Sequence, residues 1–282
     1  MTEFLEIAGG RIAYDVAGAG PLVVLAPGMG KRRDDYRFLA PWLIEAGYRV
    51  ASADLRGHGE SSTGWTSYTR TDTAGDLLAL IRHLGGPAVI AGNSFSGGSA
   101  TIAAAREPGL VSAVAELGPF TRVSKLSLAA MLTNSRYRKG SMLLARTGMT
   151  GSLRAWSRYL DHAFPGVRPA DYAVNLAALQ DNLREPGRMA AARKMGLARP
   201  TDAGACLPDL RRPAVVIMGT LDPDWPDPEA EANRIVAEMP AGIGSAAMIE
   251  GAGHYPHVQF PDQTAAVLLP FLREHAQERA SA

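Results

Sequence analysis

Ala88-Val89-Ile90-Ala91-Gly92-Asn93-Ser94-Phe95-Ser96-Gly97-Gly98 is the stretch that decides the fold of this chain. An apolar run, residues 88–90, leads in, and an Ala-rich helical stretch, residues 99–106, leads out. A serine with small residues two positions to either side, where a strand hands over to a helix, marks a turn too tight for bulky neighbours. Such a turn lifts the serine hydroxyl out of the sheet and sets a helix N-terminus behind it. Two serines fit. Ser94 lies between Gly92 and Ser96, and Ser96 lies between Ser94 and Gly98. Gly92 suits the crossing better and Ser94 stands nearer the strand, so Ser94 is the favoured nucleophile and Ser96 the alternative.

Working outward, an apolar run at 214–218 ends in Gly219-Thr220-Leu221-Asp222, and another at 246–249 is followed by Gly251-Ala252-Gly253-His254. The order is Ser, Asp, His, which differs from the chymotrypsin and subtilisin orders. Upstream, Leu22-Val23-Val24-Leu25-Ala26-Pro27-Gly28-Met29-Gly30 is a buried-looking strand and a turn. Asp54-Leu55-Arg56-Gly57-His58-Gly59-Glu60-Ser61 follows another strand. With these five segments in this order, the chain resembles the α/β-hydrolase family. The resemblance covers nearly the whole chain and names no substrate.

It implies that Ser94 is the nucleophile, His254 the base that takes its proton and Asp222 the carboxylate that orients His254. The oxyanion would be held by the backbone N–H groups of Met29 and Phe95. His257 is the rival base, and Asp224 and Asp227 are the rival carboxylates. Asp54 takes a structural role, His58 is expected near the pocket rim, and residues 118–120 offer no carboxylate. Pro27-Gly28 departs from the His-Gly often found in the family, which leaves the backbone donor intact. Lys31-Arg32-Arg33 reads as a solvated basic turn, with recognition of an anionic group as the alternative. A serine in place of aspartate at the turn argues against epoxide hydrolases and haloalkane dehalogenases. Neither a His/Cys zinc cluster nor a His-Glu-x-x-His helix occurs, and Gly18-Ala19-Gly20-Pro21 is no dinucleotide fingerprint, so no cofactor and no metal are expected.

Apolar runs that alternate with helical patterns predict a mostly parallel central sheet flanked by helices. Strands are expected at 3–7, 11–16, 22–26, 48–53, 87–91, 111–117, 214–218 and 245–249. Helices are expected at 34–45, 71–84, 95–107, 228–238 and 262–275. From Thr121 to Arg212 the strand pattern stops, and 16 Lys and Arg face 6 Asp and Glu, a net of +10 against −9 elsewhere. This predicts an α/β-hydrolase core at 1–120 and 213–282 with an inserted, mainly helical cap at 121–212. Solvated faces, or docking onto the acidic body, account for the basic excess, with an acidic or carrier-bound substrate as the alternative. Some apolar residues among Leu126, Leu128, Met131, Met142, Leu143, Trp156, Tyr159, Phe164 and Tyr172 should line an acyl pocket.

In 282 residues no apolar run approaches the ~18–20 needed to span a bilayer, and the start lacks a secretory pattern, so a cytoplasmic protein is expected. One cysteine, Cys206, forms no internal disulfide. The tail from Gln277 should fray. The expected partner is a small-molecule substrate, without nucleic acid or membrane, and the oligomeric state stays open. The expected activity is cleavage of a carboxylic ester, thioester or lactone through an acyl-enzyme on Ser94. Acyl transfer, C–C bond hydrolysis, and ligand binding with little turnover are the alternatives.

Overall fold

The structure, a computed structural model, describes residues 1–276; the expectation for the tail from Gln277 lies outside the described residues. Eight strands, β1 (Glu3–Ile7), β2 (Gly10–Ala17), β3 (Leu22–Ala26), β4 (Arg49–Ala53), β5 (Ala88–Asn93), β6 (Val111–Leu117), β7 (Ala214–Gly219) and β8 (Gly244–Ile249), form one sheet. Their order is β1-β2-β4-β3-β5-β6-β7-β8, with β1 and β2 antiparallel and all pairs from β4 to β8 parallel. The central strands β3, β5, β6 and β7 are buried along their whole length, as continuous apolar runs covered on both faces should be. Burial falls off at β1 and β8, the sheet edges.

Helices cover both faces. On one side lie α2 (Arg70–Leu84) and α3 (Phe95–Arg106), packed on Val24, Ile90 and Val114; on the other Leu39, Leu43, Leu268 and Leu272 pack on Val23, Val89 and Val215. A capping box of Thr69 and Asp72 starts α2, and Gly85 in the left-handed region ends it. The helix expected at 34–45 is broken instead into a 3-10 turn, Arg33–Tyr36, and the short α1 (Ala40–Glu45). Pro41 sits in the first turn of α1, where its missing N–H is harmless, whereas a helix running through it would lose a bond and clash one turn back. Trp42, in α1, is 45 % exposed.

Between β6 and β7 the chain forms α4 (Leu128–Thr133), α5 (Ser135–Thr150), α6 (Leu153–Ala163), α7 (Tyr172–Arg184), α8 (Arg188–Leu197) and α9 (Thr201–Cys206). Trp156, Tyr159, Leu160, Phe164, Leu179 and Leu183 form a separate apolar cluster there that reaches Tyr255 and Val258. This segment is tied to the rest by Arg122 on Glu231, Arg37 on Asp171 and Asn182 on the Gly59 carbonyl. After β7 come α10 (Pro228–Ala237), α11 (Pro256–Gln259) and α12 (Pro261–His275). No helix among the described residues is long and apolar enough to cross a membrane.

Candidate active site

Ser94 joins β5 to α3 with φ 54° and ψ −115°, the only positive φ outside glycine among the described residues. A side chain in that region costs about 1–3 kcal/mol, so the surrounding turn must enforce it. The strain falls on Ser94, not on Ser96. Ser96 lies within α3, fully buried, and its hydroxyl donates to the Pro27 carbonyl at 2.6 Å.

Gly92 allows the crossing. A Cβ there would lie 2.3 Å from the Ser96 carbonyl oxygen and 2.8 Å from the Gly97 nitrogen, backbone atoms that cannot step aside. Gly92→Ala is therefore expected to destabilise the protein by about 3 kcal/mol. That corresponds to a melting point lower by roughly 5–10 °C, which calorimetry would read. Unchanged melting would mean that the turn is not held as described.

His254 follows β8 and Asp222 follows β7. The backbone pins both loops: Asp222 N–H donates to the Gly219 carbonyl, Leu221 N–H to the Ala252 carbonyl, and His254 N–H to the Ala163 carbonyl of α6. The result is a 2.9 Å hydrogen bond from His254 Nδ1 to Asp222 Oδ2, with both side chains buried. Gly118, at φ 53°, makes room for this pair. A Cβ there would stand 2.9 Å from the His254 carbonyl oxygen and 3.3 Å from both Asp222 Oδ2 and His254 Nδ1.

A second carboxylate enters the site. Asp224 Oδ2 lies 3.1 Å from His254 Nδ1 and accepts the Tyr159 hydroxyl at 2.7 Å; the Asp224 N–H donates to Asp222 Oδ1 at 3.0 Å. Burial pulls the His254 pKa down, but the charges of Asp222 and Asp224 outweigh it and raise the value to about 9. Burial, opposed by His254 and reinforced by Asp222, lifts Asp224 to about 7. The sequence offered Asp222 and Asp224 as rivals, and the structure sets both against one imidazole. Asp227 is spent capping α10, where it accepts the Ala230 N–H.

Asp222, Asp224 and His254 also present the one group of acid and histidine ligand atoms close enough to hold a metal, within 4.8 Å of each other, among the described residues. The Nδ1–H that Asp222 holds would have to be removed before that nitrogen could bind an ion.

Ser94 and His254 share a cavity of about 110 Å³ with Met29, Phe95, Phe120 and Trp156. No hydrogen bond joins the Ser94 hydroxyl to His254 among the described residues, a loose geometry common in unliganded sites. The two residues whose backbone N–H groups are the expected oxyanion donors, Met29 and Phe95, both line this cavity. Phe95 is the first residue of α3, so its N–H has no acceptor within the helix. Met29 lies in a turn pressed against Ser94: a Cβ on Gly28 would lie 3.0 Å from Ser94 Cβ and 2.9 Å from Asn93 Oδ1. The turn is fixed from below by His58, whose Nε2 accepts the Gly30 N–H at 2.8 Å while Nδ1 meets the Arg56 carbonyl at 2.9 Å. From above, the Trp156 indole donates to the Gly30 carbonyl at 3.2 Å. Burial lowers the His58 pKa to about 4, consistent with the neutral ring that accepting requires.

Two expectations, for His58 and for the basic turn, need correction. His58 is fully buried behind the turn and does not reach a pocket rim. His257, the rival base, stacks on Tyr36 at 4.6 Å, fully buried, with neither ring nitrogen bonded among the described residues. The basic turn is neither solvated nor free for an anion. Lys31 is buried and pairs with Asp35 at 2.8 Å, Arg32 pairs with Asp34, and Arg33 joins Asp54, Asp15 and Glu60. Asp54 is structural as read, since it also accepts the Arg33 N–H at 2.7 Å and the Glu60 N–H at 3.0 Å. Of the apolar residues offered for the pocket, Trp156 and Tyr159 line it, whereas Leu126, Leu128 and Met142 are exposed. Sequence reasoning missed Gly118, Phe120 and Arg70 in this region.

Residues 23–267 match the sequence pattern of the alpha/beta hydrolase family. The chain belongs to that family. A 2-(acetamidomethylene)succinate hydrolase of Mesorhizobium japonicum is 26 % identical over 273 residues, covering 93 % of this chain and 92 % of that protein. Among solved structures, an esterase from Exiguobacterium antarcticum matches with a TM-score of 0.78 at 19 % identity, over 97 % of this chain and 100 % of its own. A thermophilic esterase from Thermogutta terrifontis matches with a TM-score of 0.76 at 22 % identity, over 98 % and 100 %. At these identities the structural likenesses establish the fold of this hydrolase-family chain and no more.

Proposed function

We propose that this protein is a serine hydrolase that cleaves a small carboxylic ester, thioester or lactone through an acyl-enzyme. The observation that carries the reading is the 2.9 Å Asp222–His254 bond beside a cavity shared with a serine held in the left-handed region. His254 takes the Ser94 proton as Oγ attacks the carbonyl carbon, and Asp222 stabilises the imidazolium that forms. The Met29 and Phe95 N–H groups hold the oxyanion. His254 returns the proton to the leaving oxygen or sulfur, and a water then repeats the sequence to free Ser94 and the acid. Residues 121–212 act as a cap, with Trp156, Tyr159 and Leu144 closing the acyl side.

A cavity of about 110 Å³ is small beside the roughly 300–1,000 Å³ of drug-sized pockets, so short acyl groups fit best. Hydrolysis of p-nitrophenyl acetate, butyrate and octanoate tests both points. The expected result is turnover well above the buffer rate, with kcat/KM for the octanoate about tenfold or more below that for the butyrate. No turnover of any ester would contradict the reading, and product trapping with added alcohol would reveal acyl transfer instead of hydrolysis.

A further inference from the structure

Arg70 occupies the first position of α2 and is 4 % exposed. Its guanidinium lies over the Phe95 ring, 4.3 Å from the centroid. Nε donates to the Phe120 carbonyl at 3.0 Å and Nη1 to the Ala198 carbonyl at 2.8 Å. These two carbonyls use two of its five donors, and Nη2 has no acceptor among the described residues. No carboxylate oxygen comes within 4.0 Å of the guanidinium nitrogens among the described residues. Asp202, whose charge acts on Arg70 from further off, is engaged with the Thr71 N–H and hydroxyl at 3.2 and 3.1 Å.

The other buried arginine among the described residues, Arg188, has Glu185 at 3.1 Å. A buried cation without a counter-ion is costly, and burial pulls the Arg70 pKa down to about 10, which still leaves it protonated at neutral pH. The uncompensated charge stands on the wall of the cavity that Ser94 and His254 share. Arg193, on the same wall, gives its Nε to the Gly148 carbonyl and adds a second positive charge at the exposed side.

We infer that Arg70 is the binding site for a carboxylate on the substrate, so that the substrate class is a small ester bearing a free carboxylate. A planar guanidinium with unspent donors matches a carboxylate in shape and charge, and the incoming anion supplies the close counter-ion that the described residues do not. This inference rests on Ser94 acting as the nucleophile.

The test compares esters that differ only in charge. Monomethyl succinate is set against methyl 4-methylpentanoate, with the carboxylate on the acyl side; acetoxyacetate is set against isobutyl acetate, with it on the alcohol side. Hydrolysis of monomethyl succinate consumes one water and yields succinate and methanol, which is measured directly. The wild type is expected to prefer the anionic member of at least one pair by tenfold or more in kcat/KM. Arg70→Met should lower that preference at least tenfold, and Arg70→Lys, which keeps the charge should the first variant fail to fold, should lower it by less. An anionic-to-neutral ratio unmoved by Arg70→Met would make Arg70 a structural staple and overturn the inference. So would a wild type that prefers the neutral esters, or one that is labelled at Ser94 by a fluorophosphonate yet cleaves neither anionic ester. A wild type that cleaves nothing and takes no label would instead bring down the serine-hydrolase reading itself, and this inference with it.

Discussion

Ser94→Ala is expected to lower kcat for ester hydrolysis by about 10⁴-fold or more while the protein stays folded. The variant removes the only atom proposed to bond to the acyl carbon. Little is lost in stability, because the Ser94 hydroxyl makes no hydrogen bond among the described residues and alanine must adopt the same strained φ of 54°. Ser94→Gly should be as inactive but more stable, by about 1 kcal/mol, because glycine occupies that region without penalty. Activity and thermal melting measured on both variants separate the two roles of the position. A Ser94→Ala protein with wild-type turnover would remove Ser94 from the mechanism.

Replacing the two carboxylates separately should have unequal effects. Asp222→Asn replaces the charged acceptor of the His254 Nδ1–H with a neutral amide, whose oxygen the Asp224 N–H holds so that its NH2 faces Nδ1, and is expected to cost about 10⁴-fold in kcat. Asp224→Asn can keep the Tyr159 contact and should mainly move the pH profile. The sign follows from the base role. His254 must be neutral to accept the serine proton, and its pKa of about 9 keeps it charged below that pH, so kcat/KM rises with pH toward about 9. Taking away the Asp224 charge removes one of the two influences that hold the value up. The acidic limb should therefore move to lower pH by about one unit. If Asp224→Asn collapses turnover while Asp222→Asn does not, the orienting carboxylate is Asp224.

How far these sites could be read from the sequence depended on how local their chemistry is. Ser94, Asp222 and His254 follow apolar strands by one, three and five residues, and a parallel sheet brings strand ends to one side, so the strand pattern together with the family resemblance singled them out. Asp224 was visible as a candidate, but its contact with His254 depends on a loop turn closed by the Asp224 N–H on Asp222, which spacing does not encode. Lys31 was misread although Asp35 stands one helical turn on; the pairing forms because the segment folds inward under Tyr255, with Lys31 4.7 Å from its ring. Arg33 meets Asp54 across the ends of β3 and β4, which are adjacent in the sheet but distant in sequence. Arg70 carried no signal, since one arginine at a helix start reads like any other. Its isolation from acids appears only when Phe120 and Ala198 arrive from other parts of the chain. Pro41 did carry a signal against the long helix at 34–45, and the apolar spacing around it masked that signal.

The central claim, an activated serine at position 94, is tested most directly by intact-mass measurement after treatment with a fluorophosphonate, followed by peptide mapping. The account predicts one adduct on the wild type, located on Ser94, and none on Ser94→Ala. A folded wild type that takes no adduct, or an adduct that persists on Ser94→Ala, would contradict it.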